Sequence, residues 1–422
     1  MALVKARSLG AQTVIAVLAF ALLAACSPAP RTEKNSAGAT ILNWYVGPDR
    51  VNTPALAAAC SRASGGTYEI RVEQLPVDAD ERHNLLVRRL SAKDPSIDLV
   101  GLDDSFTAEF AKAQLLAPIP DELVATFSQD IFPKALAAAT FDGALVAAPW
   151  WFDPQLLWYR GTVAERAGLD MTKSVTWEDL IAGAQRDGVG IEIDDGNGRG
   201  VPDWISALVA AGGGKVVDGV GRDATVGLDT VAGAQAASVV QFYREALIGE
   251  GPSASALAKF AGTSGGFLLA PSSVVSDPAV AAIAADMQWA PYPVIDSGSP
   301  SVAPLAGVAL AVPLFAPRSD LSFNAISCLT AQSSMQALMS SAGHSSSRAT
   351  TYDLSGITNS YPMAAVTKRA VATGEAVPQT PYWQLVRAGL EDTWLPLASV
   401  QASTTPRDSQ ESVVALLAGE LP

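Results

Sequence analysis

Imidazole is scarce in this chain: among 422 residues only His83 and His344 occur. Histidine is the usual general base near neutral pH and the commonest zinc ligand. A histidine-built metal centre or catalytic triad therefore has little material here. Positive charge is also short, with 28 Lys and Arg against 42 Asp and Glu, a net charge of −14. That balance argues against a nucleic-acid partner and against adhesion to anionic lipid. Beyond residue 25 no run approaches 18 uninterrupted apolar residues, so no transmembrane span is expected in the remainder. With 49% hydrophobic and 17% charged residues, the chain is globular rather than disordered.

The one long apolar stretch is at the start. Lys5 and Arg7 precede AQTVIAVLAFALLAA (residues 11–25), and Leu23-Ala24-Ala25-Cys26 closes the segment. This is the three-part pattern of a secretory signal, ending in a small-residue-plus-cysteine site that looks like a bacterial lipobox. The expectation is cleavage after residue 25, with Cys26 lipidated and the protein held at the outer face of the cytoplasmic membrane. Two or three acyl chains give stable anchoring where one is marginal. Loss of Lys5 and Arg7 would leave a net charge of about −16. Cys60 and Cys328 then remain as an even pair in an oxidising compartment, which favours a disulfide over the alternative of two buried thiols.

Length alone allows two or three domains. Arg31 to Thr40 reads as the end of a polar tether. Ile41–Val46, Tyr68–Leu75 and Ile97–Leu102 read as strands, alternating with helices over Thr53–Ala63, Asp78–Lys93 and Phe106–Gln114. This βαβαβα order predicts a parallel sheet with crossover helices. Then the pattern changes. Gly143–Pro149 reads as one strand running into Trp150-Trp151-Phe152-Asp153-Pro154, and Gln155–Arg160 as another. Thr176 with Asp179 predicts a capped helix start. Helices are expected over Val201–Val209 and Val231–Leu247, with a glycine-rich turn between them. A strand is expected over Val302–Pro313, then a helix through Cys328 to Met339, and a helical tail over Ala364–Leu395.

Five segments, in their order and spacing, resemble the sugar-binding lipoproteins of ATP-driven importers, extracellular solute-binding protein family 1. They are LDDSFTAEFAKAQLLAPI (102–119), APWWFDPQLLWYR (148–160), VTWEDLIAGAQR (175–186), AAGGGKVVDGVGRDATVGLDT (210–230) and PLAGVALAVP (304–313). The chain is most similar in flavour to actinobacterial trehalose-binding lipoproteins, in which cysteines near Cys60 and Cys328 also match. The resemblance implies a two-lobed α/β, periplasmic-binding-protein-like fold of type II, with mixed or parallel sheets, flanking helices, a hinge and an interlobe cleft. It implies a signal peptide (1–25), a tether (26–40), lobe 1 (41–148 plus 303–345) and lobe 2 (149–302 plus 346–422). It also implies a monomer without cofactor or metal. The expected partners are a small carbohydrate and the membrane subunits of a permease driven by a cytoplasmic ATPase.

Sugars are held by carboxylates and amides that bond several hydroxyls, and by aromatic rings against apolar sugar faces. Asp103 and Asp104 follow the third strand, where parallel sheets present ligand groups. Asp103 is the better match to the family's ligand carboxylate, with helix capping as the alternative. Trp150, Trp151 and Asp153 lie at the expected interlobe crossing. Successive strand side chains face opposite ways, so one tryptophan should reach the cleft. Trp44 and Asp49, near the end of the first strand, and Trp204 are further candidates. Some positions depart from the trehalose-binding pattern. Ala270 stands before Pro271 where those relatives carry tryptophan, and the arginine expected near Gly389 has its nearest equivalent in Arg387. Arg348 lacks the usual preceding proline. A glycerophosphodiester or polyol is the runner-up ligand. An extracytoplasmic carbohydrate-active enzyme and a repurposed cleft are the remaining readings.

Two motifs read as decoys. Gly262-Thr263-Ser264-Gly265-Gly266 fits G-x-S-x-G, but that elbow needs a strand before it and a helix after it. Residues 194–203 (DDGNGRGVPD) cluster oxygens as a calcium loop does. They lack a closing glutamate and contain Arg199, so a surface turn is expected.

Overall fold

A computed structural model of the protein describes residues 33–48 and 52–420. The signal segment, Cys26 and Asp49 lie outside the described residues. The strands of the main sheet are β1 (Thr40–Val46), β2 (Tyr68–Gln74), β3 (Leu99–Asp103), β4 (Ala148–Arg160), β5 (Gly190–Asp194), β6 (Pro252–Ser253), β7 (Gly265–Pro271), β8 (Met287–Ala290) and β9 (Leu305–Ala311). Their order is β6-β5-β7-β4-β9-β3-β1-β2, with β8 also paired to β4. Pairs β1–β2 and β1–β3 are parallel, as expected of βα units, whereas β9 runs antiparallel to both β3 and β4.

The main helices are α1 (Thr53–Ala63), α2 (Ala79–Ser91), α3 (Asp104–Lys112), α4 (Trp177–Asp187), α5 (Gly200–Ala211), α6 (Val231–Glu245), α7 (Ser319–Leu329), α8 (Gln332–Ala342), α9 (Ala364–Thr373), α10 (Trp383–Trp394) and α11 (Thr405–Ala418). They cover both faces of each half of the sheet. Two apolar cores flank the β1–β3 half, one centred on Leu42, Trp44 and Ile326, the other on Leu102, Phe106 and Phe110. Two more flank the β5–β7 half, around Trp177, Trp204 and Leu390 and around Trp158, Phe260 and Tyr361. The result is the two-lobed, periplasmic-binding-protein-like arrangement.

One strand joins the lobes. Residues 148–154 of β4 pair with β9, and residues 155–160 pair with β7 and β8. The sequence suggested two strands broken at Pro154. The proline sits where β4 exchanges one set of partners for another, a place where a missing N–H removes no essential ladder bond. Gly143–Leu145, read as the start of a strand, instead belongs to a two-stranded hairpin with Thr140–Phe141. The helix expected through Cys328 to Met339 is two helices, α7 and α8, and α11 was not anticipated. Residues 33–39, read as tether, make a turn against the sheet edge, where Asn35 Nδ2 donates to Glu69 at 2.6 Å.

Cys60 on α1 and Cys328 on α7 form a disulfide with their Cα atoms 5.8 Å apart. At the opposite end of α7, Arg318 clamps the fully buried Asp98 through two bonds of 2.7 and 2.6 Å. Late and early segments are thus stapled into one lobe. Thr176 Oγ1 accepts from the Asp179 amide at 3.0 Å, which starts α4 as the sequence indicates.

Candidate functional site

The chain passes between the lobes at β4, and a second segment, His344–Arg348, crosses beside it. The Phe152 amide donates to the Ser345 carbonyl at 2.9 Å and the Ser347 amide to that of Trp150 at 3.3 Å. Strand alternation then separates the two tryptophans. Trp150 is fully buried and meets Trp44 edge-on, with ring centroids 5.3 Å apart. Trp151 faces the other way and lies over His344 at 4.5 Å, tilted by 31°. Asp153 fixes that histidine through a 2.6 Å bond to Nδ1 and also accepts from the Ser345 amide. A buried hydroxyl chain extends behind it, with Ser272 Oγ 2.8 Å from Ser345 Oγ, and Ser345 Oγ 3.1 Å from the Tyr361 hydroxyl.

These groups open onto a cavity of about 310 Å³ between the lobes. Trp151, Asp153 and His344 form its floor, Asp194, Asn197 and Arg199 one wall, and Pro271 and Ser273 another. A larger groove of about 590 Å³ lies elsewhere, on the outer face of α4 and α6. The chemistry of the smaller cavity is richer, since it joins an aromatic face to carboxylate, amide, imidazole and guanidinium groups.

Asp103 ends β3 and precedes α3 without a side-chain capping bond. Its Oδ2 is held by Arg82 of α2 at 2.7 and 3.2 Å, and it does not line the cavity. Asp104 points across the lobe interface, and its Oδ1 accepts from Arg199 Nη1 at 3.0 Å. Burial, with the charges of Asp203 and Asp103 added, pushes the Asp104 carboxyl up to about 7 against the pull of Arg199. Burial alone would lower the Arg199 guanidinium, but Asp203, Asp104 and Asp103 outweigh it and raise it.

Three candidates are core residues instead. Trp44 and Trp150 pack against each other, and Trp204 is fully buried between Trp177 and Tyr243. Large aromatic area is the main reason they are inside. Arg387 sits outside the cavity lining and forms two bonds of 2.6 and 2.7 Å to Asp80 of the opposite lobe. Two further ties cross between the lobes: the Ala79 amide donates to the Asn197 carbonyl at 3.2 Å, and Lys112 Nζ to the Tyr382 hydroxyl at 2.5 Å.

Arg199, Asn197, Asp194 and His344 were not read from the sequence as cleft residues. The segment expected to be a surface turn, residues 194–203, instead forms a cleft wall. Asp194 and Asp195 cap the Gly196 and Gly198 amides, each at 2.8 Å, and this compact turn delivers Arg199 inward. Among the described residues no group of three or more acidic, histidine or cysteine side chains could hold a metal ion. The G-x-S-x-G match has a short helix (Ala256–Ala261) before it and β7 after it, the reverse of a nucleophile elbow.

Known proteins share this architecture. The maltose-bound MalE3 protein of T. maritima superposes with a TM-score of 0.77 at 19% identity, over 90% of this chain and 99% of that one. The GacH receptor of Streptomyces glaucescens, studied unliganded and with acarbose, gives 0.73 at 16% identity over 90% and 99%. A Thermotoga lettingae solute-binding protein bound to alpha-D-tagatose gives 0.74 at 17% over 89% and 99%. In sequence, a protein of Deinococcus radiodurans described as a probable ABC transporter-binding protein is 27% identical over 180 residues. That match covers 39% of this chain and only 41% of the relative's length. The family model described as bacterial extracellular solute-binding protein matches residues 65–332, more than half of the chain, and the chain belongs to that family.

Proposed function

We propose that this protein is the solute-capturing component of an ABC importer and that its cargo is a neutral disaccharide or small oligosaccharide, trehalose-like in size. The observation that carries the reading is the interlobe cavity, where the Trp151 ring lies beside Asp153, Asp194, Asn197, Arg199 and His344. The aromatic ring would take an apolar sugar face, and the polar groups would bond its hydroxyls. Binding groups from both lobes make ligand a bridge that stabilises the closed form, which a permease would then recognise. Lipidation at Cys26 would hold the protein, as a monomer, at the outer face of the cytoplasmic membrane within reach of that permease. No helix among the described residues is long and apolar enough to cross a membrane.

A phosphodiester cargo is the second reading, favoured by the guanidinium of Arg199 in the cavity wall. The Asp104–Asp203 pair already offsets that guanidinium, and Asp153 and Asp194 line the same space, so an anion would meet net repulsion. Calorimetric titration of the mature chain with α- and β-linked disaccharides and with glycerophosphodiesters decides between them. Saturable heat with a neutral sugar supports the proposal; heat with phosphodiesters alone replaces it.

A further inference from the structure

Three charged side chains from two lobes share one buried space. Arg199 Nη1 is 3.0 Å from Asp104 Oδ1, and Arg199 Nε is 3.7 Å from Asp203 Oδ2. The side chains of Arg199 and Asp203 are 9% exposed and that of Asp104 is 3% exposed. One guanidinium therefore serves two carboxylates. The surrounding charges do not restore the balance. Arg82 of α2 is committed to Asp103 at 2.7 Å, and Arg387 of α10 to Asp80 and Glu391. At Asp203 the charge of Arg387 adds to that of Arg199, while Asp103 and Asp195, the latter in the turn before α5, contribute negative charge. On the cavity side, His344 is bound to Asp153. Asp104 Oδ1 also accepts from the Ser105 amide at 3.0 Å, and on its other side the carboxyl faces apolar residues, Ala135, Ala138, Pro149, Phe152 and Val308. The second carboxylate oxygen, Asp104 Oδ2, is buried and has no hydrogen-bond partner among the described residues.

A buried carboxylate without full compensation takes a proton rather than remain ionised. Asp104 belongs to the β1–β3 lobe, whereas Arg199 and Asp203 belong to the other, so separating the lobes would return Asp104 to water. We infer that closing the cleft takes up one proton from solvent at the Asp104–Arg199–Asp203 cluster, so that closure is favoured as pH falls and progressively weakened as pH rises toward neutrality. The proton sits on a carboxyl oxygen of Asp104 in the closed form and goes back to water on opening. The direction follows from the burial of Asp104, its unpartnered Oδ2 and the one guanidinium shared by two carboxylates, and the carboxyl raised to about 7 from an ordinary 3.8 agrees with it. A group raised in the closed state stabilises that state fully below its ordinary value, and the stabilisation is lost as pH rises through about 7. The inference rests on the cleft being a capture site that opens and closes, but not on the identity of the solute.

The test uses the ligand-free mature chain, so a failed sugar titration and a failed proton uptake are separate results. Small-angle scattering and thermal melting are recorded at about pH 5.5 and about pH 8.5. The wild type should expand and lose several degrees of melting temperature at the higher pH. Asp104→Asn should show a much smaller change in both and remain compact. Asp203→Asn, which leaves one carboxylate for one guanidinium, should also remain compact at the higher pH and covers the case in which Asp104→Asn does not fold. Equal pH responses in the wild type and in the folded variants, or a wild type that becomes more compact as pH rises, overturn the inference.

Discussion

Two adjacent tryptophans carry different burdens because the chain between them is a strand. Trp150 is sealed in a core against Trp44, while Trp151 lines the cavity beside His344. Trp150→Ala should therefore cost about 3–5 kcal/mol of stability in a denaturant titration, the range for emptying an aromatic core site. Trp151→Ala should mainly cost binding, about tenfold in affinity or roughly 1.4 kcal/mol, measured by calorimetry with whichever sugar binds. The alternation that separates them was legible in the sequence; which of the two faced the cleft was not, because that depends on the partner strand. Arg199 was illegible for another reason. A run of Asp, Gly and Asn reads as a solvated turn, and only the Asp194 and Asp195 caps, with Gly196 and Gly198 at φ values of +57° and +93°, turn the arginine inward. Nothing local in the sequence announces where such a turn points.

At the scale of elements, the βα units of the first hundred residues were readable because apolar runs, caps and turns agree with one another. The ends of β1, α1, β2 and α2 fall within about two residues of the expectation. The sequence divides β4 at Pro154, a strand breaker by local rule; the tertiary exchange of partners removes that penalty. α11 carries few long apolar residues at helical spacing, and it gains its place by packing Val413 and Leu417 into the core shared with Trp394 and Leu390. The cap at α4 gives a direct test of local reading. Thr176→Ala should cost about 1 kcal/mol in chemical denaturation. The staple between α1 and α7 should weigh more, because it closes a separation of 268 residues. Replacing Cys60 and Cys328 by serine should cost about 2–5 kcal/mol, seen as a lower denaturation midpoint, without altering the cleft residues.

For the whole molecule, the two lobes are tied by contacts both outside the proposed solute cavity and in its wall, where Arg199 lies. Asp80–Arg387, Lys112–Tyr382 and Asp104–Arg199 all join one lobe to the other. The Asp80–Arg387 and Lys112–Tyr382 ties are partly exposed and each is worth little alone, so neither should lock the cleft by itself. Arg387→Ala should therefore expand the free protein only modestly in scattering, with a saturating solute restoring the compact form. The fold class was legible because five segments recur in order, whereas the cargo was not. On the proposed function, specificity would lie in the side chains of Trp151, Asp194, Arg199 and His344, which line one cavity, and no short window of sequence contains that juxtaposition.

The central claim is that this interlobe cavity captures a neutral sugar. Tryptophan fluorescence of the chain from residue 27 onward, titrated with a panel of disaccharides and oligosaccharides, tests it most directly, since Trp151 lies in the cavity floor. The prediction is a saturable change with at least one sugar, lost or strongly weakened in Trp151→Phe, together with a rise in melting stability of about 2.7 kcal/mol at a hundred times the dissociation constant. No saturable response to any sugar, or a response that survives unchanged without Trp151, would contradict it.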